Sequence, residues 1–97
     1  MYLLVECIER EITAPWQHET LEAAQENMCR LFAEATHIPE DEVLDKLRGM
    51  DPDEDILDLE DGDTYLMRTS ACTEQHGQNY DWRIFQYDEG KGEYEPA

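Results

Sequence analysis

Basic residues are scarce in this chain: seven Lys and Arg face 25 Asp and Glu, a formal net charge of −18. Binding a polyanion relies on Lys and Arg neutralising its phosphates, so direct binding to nucleic acid or to anionic lipid is excluded. Long hydrophobic runs are missing as well. No segment approaches the ~20 apolar residues that cross a bilayer. The opening MYLLVECIER has no basic flank, and Glu6 interrupts its apolar run, so it is no signal peptide. Paired cysteines are lacking. Cys7, Cys29 and Cys72 are odd in number and widely spaced, whereas a small secreted domain carries an even, stapling set. These absences together predict a cytoplasmic protein with no membrane partner. The five glycines (Gly49, Gly62, Gly77, Gly90 and Gly92) are dispersed, so no phosphate-cradling loop exists.

What is present suffices for one fold. With 97 residues, 40% of them hydrophobic and 9% aromatic, the chain is long enough for a single modest core. Area scaling buries roughly 65% of the unfolded surface at this size. Residues 1–89 are expected to form that one domain, and 90–97, without hydrophobic period, a mobile acidic tail.

Tyr2 to Ile8 is apolar on both alternating sets of positions, which predicts a strand with both faces covered. Ala14-Pro15 reads as its end and the start of a loop. Thr20 is a helix N-cap, and Leu21, Ala24, Met28, Leu31, Phe32 and Ala35 form one apolar stripe behind it. On the wet side Glu26 and Arg30 stand in i,i+4 relation. Pro39 opens a second, shorter helix with Val43, Leu44 and Leu47 inward, stopped by Gly49. After the acid-dense connection 51–63, two arms, Thr64 to Thr73 and Tyr80 to Tyr87, make a hairpin around His76 to Asn79. Trp82 and Ile84 are its expected core residues. The predicted class is α+β: a three-stranded, mainly antiparallel sheet with two helices on one face, in the order β-α-α-β-β.

Three stretches, MYLLVECIEREI, TLEAAQENMCRLFAEA and HGQNYDWRIFQYD, resemble a group of small acidic uncharacterised proteins of gut Firmicutes. The resemblance spans most of the chain. It implies a stand-alone bacterial protein and transfers no activity.

Three chemistries bear on these residues. Asp51, Asp53 and Asp55 match positions one, three and five of a calcium loop, but Ile56 stands where Gly is required and Gly62 where Glu is. Divalent-cation binding by the 51–63 carboxylates is thus the alternative, not the leading reading. Cys72 and His76 lie four apart without the close pairs of a zinc site or any nucleophile motif, so no metal, cofactor or catalytic residue is assigned. The acidic middle is the strongest signal: residues 38–63 hold twelve acids against Lys46 and Arg48, a net of −10. The expected function is a non-catalytic interaction protein that meets a basic protein surface, a nucleic-acid mimic or inhibitor being one form of it. Asp51, Asp53, Glu54, Asp55, Asp58, Glu60 and Asp61 are the expected contact residues. The oligomeric state is not legible at this level.

Overall fold

A computed structural model describes residues 1–60 and 63–97, with the side chain of Glu60 also left out of the description. In chain order the elements are β1 (Tyr2–Ile8), β2 (Glu11–His18), α1 (Leu21–Thr36), α2 (Glu40–Arg48), β3 (Leu57–Glu60), β4 (Thr64–Leu66), β5 (Ser70–Gln75), β6 (Gln78–Asp88) and β7 (Glu93–Pro96). One antiparallel sheet runs β2-β1-β6-β5-β4-β3, and β7 pairs with the C-terminal part of β6. None of the described helices is long and apolar enough to cross a membrane.

The α+β class and the two helices stand. The three-stranded sheet and the order β-α-α-β-β are corrected: among the described residues the sheet has seven strands, and two precede the helices. β2 was hidden by its turn and by Pro15. The β1–β2 reversal places Glu9 at φ 53° and Arg10 at φ 68°, a left-handed pair that hairpins normally fill with Asn-Gly. Glu9 is held there by two bonds to Asn79, its N–H to the Asn79 carbonyl and its Oε1 from the Asn79 N–H, each 2.9 Å. Pro15 is tolerated because β2 is an edge strand, where an outward position needs no ladder donor.

The expected arm 64–73 is two strands. Met67 N–H bonds the Ser70 carbonyl at 2.8 Å and folds β4 back onto β5. The β5–β6 turn is two residues, His76 (φ 53°) and Gly77 (φ 80°), rather than four. Glu93–Pro96, within the stretch expected to be a tail, is laid against β6 with Pro96 opposite Phe85 and Glu93 opposite Asp88.

The core is one cluster between α1 and a single sheet face. Thr20 caps α1 by accepting the Ala23 N–H at 3.1 Å, as its sequence position required. Ala24, Met28 and Phe32 of the predicted stripe are buried, and α2 adds Val43 and Leu47 by packing on α1. Arg30 does not pair with Glu26. It bonds Glu34 at 3.0 Å, while Glu26 turns to Arg48 of α2 at the same distance. Trp82 and Ile84 are 1% and 2% exposed, as expected of core residues. Phe32 meets the Trp82 ring edge-on at 5.9 Å, and Tyr80 stacks on it at 5.8 Å. The Trp82 Nε1–H donates to Glu6 Oε2 at 2.9 Å, and Glu6 Oε1 accepts from Thr13 Oγ1 at 2.7 Å.

Two outcomes test this account. Arg10→Gly removes a left-handed side chain, a conformation costing ~1–2 kcal/mol, and adds back part of that as unfolded-chain entropy. A net gain of about 0.5–1 kcal/mol should appear as a melting temperature raised by a few degrees. Glu6→Ala leaves the Trp82 donor without its acceptor and should destabilise by about 1–3 kcal/mol in urea unfolding.

Candidate functional site

The acid-rich stretch becomes a surface because its apolar residues anchor it from beneath. In α2, Val43 and Leu47 point into the core, which leaves Glu40, Asp41 and Glu42 exposed in the first turn, where the helix dipole favours them. Met50 is buried just past the helix end. Asp51-Pro52-Asp53-Glu54 then forms a tight turn. The Glu54 N–H bonds the Asp51 carbonyl at 2.9 Å, and the Asp51 N–H reaches Glu54 Oε1 at 3.3 Å.

Arg68, in the link between β4 and β5, clamps this turn. Its guanidinium donates from Nη1 to the Glu54 carbonyl at 2.7 Å and from Nη2 to the Asp51 carbonyl at 2.9 Å. Gln25 of α1 in turn donates to the Arg68 carbonyl at 2.9 Å. The acidic turn is therefore tied to the helix layer by a cation that meets it through the Asp51 and Glu54 carbonyls.

Between α2 and β3 lies a groove of about 630 Å³. Met50, Leu57 and Leu59 supply its apolar floor, and Asp41, Glu42, Asp45 and Glu54 its carboxylates, with Lys46 the one base among the lining residues. Of the contact residues expected from sequence that are described, only Glu54 lines this groove. Asp51, Asp53 and Asp55 are exposed on the adjoining turn. Asp58 lies opposite Tyr65 on β3 and, by strand alternation, points away from the side of Leu57 and Leu59. Asp61 and the Glu60 side chain lie outside the described residues. The α2 acids were the ones missed. Their signal was present as i,i+3 and i,i+4 spacing (Asp41, Glu42, Asp45), but only the position of β3 makes that helix face one wall of a groove.

Among the described residues no group of three or more His, Cys, Asp or Glu is placed to hold a metal ion. Cys72 sits within β5 and His76 in the turn beyond its end, on the order of 13 Å along an extended strand. Burial, followed by the nearby Asp81 carboxylate, raises the Cys72 pKa above that of a free thiol, the opposite of nucleophile activation. Cys29 is fully buried, and burial pushes its pKa from 9.0 to about 12.

No protein-family model matches the chain, and neither the curated proteins nor the solved structures give a significant match.

The Cys29 shift has a measurable consequence. The folded state holds this proton more tightly than the unfolded chain, so the stability it contributes is complete below about pH 9 and is lost as pH rises toward 12. Cys29→Ala should flatten the alkaline limb of a melting-temperature-against-pH curve relative to the native chain. At neutral pH, thiol reagents should modify Cys29 only on unfolding.

Proposed function

We propose that the protein is a non-catalytic interaction protein whose α2–β3 groove binds a basic segment of another protein. One observation carries this reading: four carboxylates and an apolar floor share a single groove in a chain of net charge −18. A Lys- or Arg-bearing segment with one large apolar side chain satisfies both components at once. The apolar contact supplies affinity, and the charges supply steering and register. The exposed acids of 51–55 extend the same field beyond the groove and add to long-range attraction. Nucleic-acid-binding proteins present basic surfaces of this kind, so competition with a phosphate backbone is one form the activity would take. A bacterial, cytoplasmic setting belongs to the same proposal. No observation favours the divalent-cation alternative over it.

The test uses a labelled Lys/Arg-rich peptide carrying a single Leu, with binding followed by fluorescence anisotropy. Neutralising the groove (Asp41→Asn, Glu42→Gln, Asp45→Asn, Glu54→Gln) should weaken binding at least about tenfold, a loss of ~1.4 kcal/mol. An equal-charge control away from the groove (Glu11→Gln, Glu19→Gln, Glu22→Gln, Glu89→Gln) should change it far less. Affinity should also fall steeply with salt. If the control weakens binding as much as the groove variant, the attraction is diffuse and the groove is not a site.

A further inference from the structure

The sheet has a second face, and its chemistry is unlike the rest of the molecule. Strand alternation assigns Tyr2, Leu4, Glu6 and Ile8 to the helix side and Leu3, Val5 and Cys7 to the other. Register then sets Phe85 beside Leu3, Pro15 beside Val5 and Ile12 beside Cys7 on that same face. These six residues form an apolar strip, with Gln17, Arg83 and Asp81 the polar neighbours that the same register sets beside it, in a chain where a third of the residues are charged. Among the described residues no helix covers it: α1 packs on the Leu4 side, and α2 packs on α1. Ile12 is 70% exposed. A strand apolar on both sides is the pattern of a strand covered on both sides, yet this chain covers β1 on only one.

We infer that the open face of the sheet is a self-association surface that stacks against the same face of a second copy of this chain. Charge selects this occupant. The apolar strip and the charge-balanced Asp81–Arg83 pair beside it give little purchase to the basic partner proposed for the groove, whereas stacking two such faces puts both acidic helix layers on the outside, at the greatest separation available. The face is also self-complementary. Asp81 and Arg83 lie on it two residues apart on β6, 3.6 Å from each other, so a two-fold axis lets Asp81 of each copy meet Arg83 of the other. The molecule has principal extents of 41 × 31 × 20 Å, and a stable dimer buries roughly 800 Å² of each partner, so the strip must be joined in the contact by the rest of the sheet face.

The association has a salt signature opposite to that of the groove. Two copies of net charge −18 repel, so raising NaCl from about 0.1 M to about 1 M, which shortens the screening length from roughly 10 to 3 Å, should tighten the dimer. Sedimentation equilibrium of the full chain should give twice its 11.4 kDa mass, with the dimer fraction rising with salt. Ile12→Asp, on an exposed edge strand, should weaken dimerisation at least about tenfold. Val5→Lys should do the same from the centre of the strip, circular dichroism confirming that each variant keeps its fold. Glu42→Gln, on the helix side, should leave the dimer intact. A native chain that stays at 11.4 kDa up to about 1 mM in high salt overturns the inference, as does a dimer indifferent to Ile12→Asp. A monomer that instead cosediments with phosphatidylcholine vesicles would assign the face to lipid and overturn it equally.

Discussion

Trp82 is the piece around which the fold closes. Burying an indole removes 150–250 Å² from water, worth on the order of 4–6 kcal/mol as an upper bound. Its ring joins the central strand β6 to α1 through Phe32, and its N–H joins β6 to β1 through Glu6. Glu6 then passes the connection to β2 through Thr13. One side chain thus fastens the sheet to its helix layer and the first hairpin to the sheet. A carboxylate tolerated this close to the core is explained by the two donors that meet it, since a half-buried polar group with partners costs little.

Charge is divided by layer. The acids crowd the helices, the connection and the strand ends, and four ion pairs are found among the described residues, all on exposed side chains where each is worth at most about 1 kcal/mol. The excess negative charge is therefore a field rather than a set of bonds. Arg68 shows the same economy. It fixes the acidic turn through carbonyls, with no carboxylate as the acceptor of those two bonds. On the far side of the sheet the strip of β1 and β2 carries no charge, and the Asp81 and Arg83 beside it offset each other. The two proposed contacts differ for one physical reason: apolar association needs charge removed from the contact, and steering of a basic segment needs it concentrated.

Several features were legible in residues alone because they depend on local spacing. The α1 stripe, its Thr20 cap, the Val43 and Leu47 side of α2 and the inward Trp82 and Ile84 all follow from a period of 3.6 or 2. The β1 pattern was legible too, since apolar residues on both sets announced two faces before any layer was assigned. Hairpins closed by unusual turns were not. Glu9 and Arg10 adopt left-handed backbone with no glycine to signal it, and two bonds to Asn79, seventy residues away, hold Glu9 in place. β2, β3 and β7 are strands by virtue of neighbours, and the acid content of β3 and β7 hides their extended form.

Composition by itself determined the strength and sign of the field, the helix layer and the class of fold, because each is a sum over residues or a short-range period. Tertiary structure decided which acids act together. It set Glu54 beside Asp41, Glu42 and Asp45, turned Asp58 to the other side of the sheet, and gave Glu26 to Arg48 in place of Arg30. Those outcomes depend on where β3 lies against α2 and on how α2 packs against α1. Strand register, helix packing and long-range hydrogen bonds fix both, and none of the three is a property of neighbouring residues.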